Sequence, residues 1–314
     1  MTRTVLVAGA TGFHGSAVLR ALARRSDVAP IGMVRAPSTA VPGARIAELE
    51  DPRALAAAVD GVDVVVHCAP YIGYDEGACR RVNVEGTARL VAAASAVGAG
   101  VLYLSTTGVY GHAARHGVAA RDVVPAAASV LSASRAEAER IVLGAGGGVL
   151  RPHLVVGRGD TRVLPTLRRI RELLGGLPRG GAAAVSAIAV DDLGRLVAGL
   201  AAQGTGGPGE PGELDGPVGA GGPVGFGGLV GHAVAPAPTT IARLLELVGR
   251  DPGVSVDPAD AAARLAAAGL PSSVAAMSTT DEVYDAEDVW ERAGVAAPST
   301  VALTPDDVDW YRSR

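Results

Sequence analysis

The chain has 314 residues, 48% of them hydrophobic and 19% charged, with a formal net charge of −4. That is enough apolar residue for a large buried core without disulfides or metals. Aromatics at 3% exclude a stacking platform for single-stranded nucleic acid, the acidic balance excludes a general basic footprint, and all 28 basic residues are arginine. The lack of lysine excludes a Schiff base, a lysine general base and a Walker-type phosphate lysine.

In chain order, strand-like runs fall at Thr4–Ala8, Pro30–Val34, Val62–His67, Val101–Leu104 and Gly148–Leu150. Between them lie helix-like segments at Gly15–Arg25, Pro52–Ala58, Asn83–Val97 and Ser132–Leu143, with aliphatics three and four residues apart. This alternation predicts an α/β fold, a doubly wound parallel sheet covered by helices on both faces. The charge-free run 90–111 is read as a glycine-terminated helix followed by a strand, not as a membrane span. Residues 1–155 are expected to form a dinucleotide-binding domain that takes later strands from 185–190 and 232–236.

Residues 156–314 are expected to be mostly a smaller C-terminal substrate-binding lobe. Its predicted elements are a helix at Val163–Leu174, a strand at Val185–Val190 and a helix at Asp191–Ala202. Gly204–Pro238 has too few large apolar residues to offset its ordering entropy and is predicted to be a mobile loop. Surface helices at Thr239–Gly249 and Pro258–Ala268 and an acidic segment at Asp281–Trp290 follow. The two cysteines, Cys68 and Cys79, lack metal-ligand spacing and predict a reducing compartment. The N-terminal glycines come too early for a signal-peptide core, so a cytoplasmic location is expected.

Gly9-Ala-Thr11-Gly12-Phe13-His14-Gly15 follows the first strand and opens the first helix. Glycines there let a backbone approach a pyrophosphate, which the helix N–H groups and dipole then hold. The second strand ends at Arg35 with no carboxylate at its tip, and a guanidinium suits a 2′-phosphate, so NADP is expected in preference to NAD.

Taken together, the ordered motifs resemble the extended short-chain dehydrogenase/reductase family, the epimerase/dehydratase-like members of the Rossmann fold, over residues 4–202. They are GATGFHG, the strand segment ending at Val66-His67, Asn83-Val84-Glu85-Gly86-Thr87, Leu104 to Gly111, Leu150-Arg151-Pro152 and Val190-Asp191-Asp192-Leu193. The resemblance implies that Glu48 and Leu49 border the adenine and that Cys68, Ala69 and Pro70 line the ribose and nicotinamide side. It implies that Pro152 borders the coenzyme, that Asn83 has a structural or relay role, and that Thr106 is the hydroxyl that hydrogen-bonds a substrate carbonyl.

The chain departs from the family pattern at its acid/base. The Tyr-x-x-x-Lys pair aligns with Leu131 and Arg135. A leucine donates no proton, and a guanidinium hydrogen-bonds a ribose hydroxyl but is a poor proton shuttle. Replacement donors are sought in Tyr71 and Tyr74, in His153, and in His112 and His116. A second departure is an uncharged stretch before Val190-Asp191-Asp192, where nucleotide-sugar members place a gripping arginine. An apolar small molecule such as a natural-product ketone fits better.

The leading expectation is therefore an atypical NADP(H)-dependent oxidoreductase reducing a carbonyl or conjugated acceptor. A redox-neutral cyclase, dehydratase or epimerase and a non-catalytic coenzyme sensor are the alternatives. The resemblance also implies a homodimer, with no nucleic acid, membrane or metal partner.

Overall fold

The computed structural model describes residues 2–203, 226–286 and 288–314. Its first half runs β1 (Arg3–Ala8), α1 (Phe13–Ala23), β2 (Val28–Val34), β3 (Arg45–Ile46), α2 (Pro52–Ala58) and β4 (Val64–His67). A single turn α3 (Glu76–Ala78) leads through a π-helical segment, Cys79–Gly86, into α4 (Thr87–Ala96), then β5 (Gly100–Leu104), β6 (Arg115–Val118), α5 (Val130–Gly144) and β7 (Gly148–Pro152). The second half contains β8 (Leu154–Val156), α6 (Val163–Leu174), β9 (Gly176–Pro178), β10 (Ala184–Val185), β11 (Ala187–Ala189), α7 (Val190–Gln203) and β12 (Val230–Ala233). It closes with β13 (Thr239–Thr240), α8 (Ile241–Glu246), β14 (Val254–Val256), α9 (Pro258–Ala267), α10 (Ser272–Thr279), β15 (Glu282–Tyr284), α11 (Val289–Arg292) and α12 (Pro305–Arg312).

The main sheet is parallel throughout, in the order β12-β7-β5-β4-β1-β2-β3. Both of its faces are buried, which is why its strands read as unbroken apolar runs. Along β1, Val5 and Val7 join one core and Leu6 and Ala8 the other, and β5 divides Leu102 and Leu104 from Val101 and Tyr103 in the same way. The first core is closed by α1 and α7, the second by α2, α4 and α5. Helices α1 and α7 approach backbone to backbone: a Cβ on Gly194 would lie 2.6 Å from the Ala17 carbonyl oxygen. A third core, built on Leu164, Leu167, Ile170 and Leu244, underlies the C-terminal lobe.

Helix starts follow local side-chain chemistry. The Asp51 carboxylate accepts the Arg53 and Ala54 N–H groups ahead of Pro52, and Ser129 with Ser132 forms a reciprocal cap at α5. Several expectations are corrected. The helix expected at Asn83–Val97 begins within the π-helical segment, whose wide turn seats the Asn83 amide between a loop and α5. The strand expected at 185–190 does not join the main sheet. Pro152 ends β7, and the chain beyond it, β8, pairs with β11, while β10 enters a four-stranded sheet in the order β13-β10-β15-β6. Within the expected loop Gly204–Pro238, residues 204–225 lie outside the described ones. The apolar run after them forms β12, which covers the exposed edge of β7. The segment expected as a helix at Thr239–Gly249 gives Thr239–Thr240 to a strand and shortens to α8, capped by the Thr240 hydroxyl.

One buried polar network spans this junction. Arg151 on β7 binds Glu139 on α5 through Nε at 3.0 Å and Nη2 at 2.6 Å, and its Nη1 donates to the Tyr110 hydroxyl at 2.7 Å. The same hydroxyl lies 2.8 Å from His232 on β12. Removing one partner of a buried ion pair leaves an uncompensated charge, which costs roughly 3–5 kcal/mol. Glu139→Leu should therefore lower the thermal midpoint sharply, and adding Arg151→Met should restore much of the loss. A single variant as stable as the parent in denaturant melts would contradict this account.

Candidate functional site

The site lies at the carboxyl ends of the strands, where β1 separates the strands that step outward to β3 from those that step outward to β12. Gly9 has φ +81 and is pinned by its N–H to the Met33 carbonyl at 3.2 Å. A Cβ on Gly9 would lie 2.6 Å from the Cys68 carbonyl oxygen, and one on Gly15 would lie 2.2 Å from that of Gly9. The turn after β1, the first residues of α1 and the loop after β4 are thus in backbone contact. No side chain caps α1 at Gly12, and the first helical bond is Ser16 N–H to the Gly12 carbonyl at 2.9 Å. The N–H groups of Phe13, His14 and Gly15 therefore face outward as anion donors.

Arg135 is the buried cation of this region. It is 7% exposed, its Nη2 donates to the Leu104 carbonyl at 2.7 Å, and its guanidinium lies 5.7 Å from the centre of the Tyr103 ring. Its Nε and the Tyr103 hydroxyl are buried without a hydrogen-bond partner among the described residues. Burial, reinforced by this positive charge, holds His14 neutral down to about 4 and His67 down to about 3. Burial also pushes the Cys68 thiol up to about 12, so Cys68 is no nucleophile.

The loop after β4 is clamped. Asn83 accepts the Tyr71 N–H at 2.7 Å and donates both to the Tyr71 carbonyl at 3.1 Å and to the Ser134 hydroxyl at 2.9 Å. Arg162, from the start of the lobe, donates to the Ile72 carbonyl at 2.9 Å. Tyr71 is half-buried with its hydroxyl folded over Gly73, whereas Tyr74 is 63% exposed. Thr106 is half-buried at the end of β5 and accepts the Gly108 N–H at 3.1 Å. Its neighbour Thr107 is buried, with Oγ1 2.7 Å from His153 Nδ1. The other ring nitrogen of His153 lies 3.4 Å from Glu282 Oε2.

The structure thus brings Gly9, Gly12, Gly15, Cys68 and Ala69 into backbone contact at the strand ends, with Arg135 packed on the buried Tyr103 ring and near His14, and with Thr106 two residues past β5. Thr11, Arg35 and Glu48 are exposed, Arg35 immediately after β2. Leu49 is buried against Gly86 of the π-helical segment, and Pro152 is buried at the last paired position of β7. His112 lies 3.9 Å from Glu282, and His116 is exposed on β6. Sequence reading passed over Thr107 and Glu282. The only sign of Glu282 was an acidic residue inside an otherwise strand-like Glu282-Val283-Tyr284.

A family model for the NAD dependent epimerase/dehydratase family matches residues 5–210. A 2-alkyl-3-oxoalkanoate reductase from Stenotrophomonas maltophilia (strain K279a) is 34% identical over 180 residues, covering 52% of this chain and 54% of that protein. The match therefore spans about half the length of that relative. Among solved structures, UDP-glucose 4-epimerase from Brucella ovis in complex with NAD is similar with a TM-score of 0.71 at 18% identity, covering 98% of this chain and 96% of that one. RMD from Pseudomonas aeruginosa complexed with NADPH has a TM-score of 0.64 at 19% identity, with both chains covered fully. No helix among the described residues is long and apolar enough to cross a membrane.

Burial holds four of the six histidines, His14, His67, His153 and His232, below their usual range, at about 4, 3, 4 and 4. The unfolded chain therefore binds more protons than the folded one between about pH 6.5 and pH 4. Stability should be flat above that window and fall as pH drops through it, each histidine contributing up to about 1.4 kcal/mol per pH unit. Thermal melts between pH 8 and pH 4 measure the slope, and a midpoint independent of pH down to 4.5 would refute the neutral burial of these rings.

Proposed function

The chain belongs to the NAD dependent epimerase/dehydratase family, and from that premise we propose that it is an NADP(H)-dependent oxidoreductase that reduces the carbonyl of a small apolar substrate without a tyrosine/lysine pair. The observation that carries the reading is the uncapped amino end of α1, in backbone contact with the loop after β4 and with the buried cation Arg135 near it. A pyrophosphate would be held by the N–H groups of Phe13, His14 and Gly15, the donors that an uncapped helix start leaves open.

The bound coenzyme supplies hydride to a carbonyl carbon; the protein binds, orients and manages the proton. Thr106 keeps its hydroxyl hydrogen free, because its oxygen is the acceptor toward Gly108. It donates to the substrate oxygen, and the proton that finally resides there comes from Tyr71 or water. Helix α5 contains no tyrosine, and where the family resemblance would put a phenol it carries Leu131. The name of the Stenotrophomonas relative supports a 3-oxo acid with an alkyl branch as substrate class. The same Leu131 favours one second reading, a coenzyme-binding protein without turnover.

Arg35 is exposed where a 2′-phosphate would lie, which favours NADP. Arg35→Ala should weaken NADPH binding at least tenfold in calorimetry and leave NADH nearly unchanged; equal effects on both would remove the NADP assignment. With a 2-alkyl-3-oxoalkanoate as probe, Thr106→Val should cut turnover by about 10²-fold, the scale of losing one oxyanion donor, at constant coenzyme affinity. NADPH binding with no absorbance loss at 340 nm in the parent protein would select the sensor reading.

A further inference from the structure

The two adjacent threonines at the end of β5 are not equivalent, and the reason lies 175 residues away on β15. Thr107 Oγ1 is 2.7 Å from His153 Nδ1, and His153 Nε2 is 3.4 Å from Glu282 Oε2. Thr107 and Glu282 are 2% and 6% exposed, and the His153 side chain is 10% exposed. The groups facing this ring are Glu282 and Tyr284 from β15, His112 from the loop after β5 and Arg115 from β6. Burial keeps the imidazole neutral at ordinary pH, down to about 4, against the opposing pull of Glu282.

A neutral ring has one N–H. The carboxylate oxygen 3.4 Å from Nε2 attracts the ring proton to that nitrogen and has nothing to offer a bare one, so Nδ1 is left as an acceptor and the Thr107 hydroxyl donates to it. The hydrogen of Thr107 is then committed inward. Thr106, whose oxygen accepts the Gly108 N–H, keeps its own hydrogen for a ligand. Thr107 also begins the 3₁₀ turn Thr107–Tyr110 that Thr106 caps, so fixing one fixes the other.

We propose that Glu282 and His153 are positioning residues that act through Thr107, locking the turn and leaving Thr106 as the single hydroxyl donor toward the substrate carbonyl. This rests on the reading above that Thr106 meets that carbonyl. It also moves His153 from a candidate proton donor to a buried group whose Nδ1 bonds Thr107 and whose Nε2 faces Glu282.

The test compares His153→Asn, His153→Gln and Thr107→Val in the full-length protein. An asparagine amide reproduces the reach of Nδ1 and keeps the Thr107 bond, whereas a glutamine amide reproduces Nε2 and keeps only the Glu282 contact. With NADPH and a 2-alkyl-3-oxoalkanoate, Thr107→Val and His153→Gln should lower kcat about 10- to 100-fold, the scale of a misplaced catalytic group. NADPH affinity should not change, and His153→Asn should stay within about threefold of the parent, although all three lose similar packing. Equal losses for Asn and Gln, or full kcat in Thr107→Val, would overturn the proposal.

A second arm needs no substrate. The ¹⁵N and ¹³C shifts of His153 in the coenzyme-free protein should report the neutral Nε2–H form from pH 6 to 9, and Thr107→Val should release that preference. An Nδ1–H form, or a Thr107→Val spectrum identical to the parent, overturns the hydrogen-bond order itself. A parent inactive toward the probe counts instead against the function proposed above.

Discussion

Two carbonyl oxygens, those of Gly9 and Cys68, set the position of everything in the crevice. No side chain fits between them and their neighbours, because a methyl group at position 9 or 15 would sit inside van der Waals contact with backbone. This contact forces β1, the start of α1 and the loop after β4 together at the middle of the parallel sheet. The unsatisfied helix N–H groups are a consequence: with the backbone this close and Gly12 at the cap position, no side chain is available to satisfy them.

Beside that fixed point the buried cation is a permanent one: Arg135 donates to the Leu104 carbonyl and packs against the Tyr103 ring. Burial, together with its field, keeps the His14 and His67 imidazoles uncharged, and burial keeps the Cys68 thiol protonated against that field.

Much of this was legible in the sequence. Gly9, Gly12 and Gly15 in a strand-turn-helix context gave the site's centre, because glycine spacing reports backbone proximity directly. The parallel, helix-covered sheet followed from the alternation of apolar runs with helix-like segments, and α2 and α6 have the bounds expected of them, where Asp51-Pro52 and Asp160 mark helix starts through local hydrogen bonds. What was hidden depends on contacts distant in sequence. The π-helical widening at Asn83 answers to Tyr71 and Ser134, the departure of 185–190 from the main sheet answers to β8 and β15, and Glu282 matters only because the lobe folds it against His153. No periodicity encodes such pairings, and a resemblance transfers roles only at positions the family pattern already names.

The guanidinium at position 135 has one more implication, for the kinetics. A lysine beside a nicotinamide loses its charge in alkali and so writes an upper limb into a rate profile. Arginine holds its proton throughout the range in which a protein stays folded. Any alkaline break recorded for this protein must then be traced to a group other than this cation.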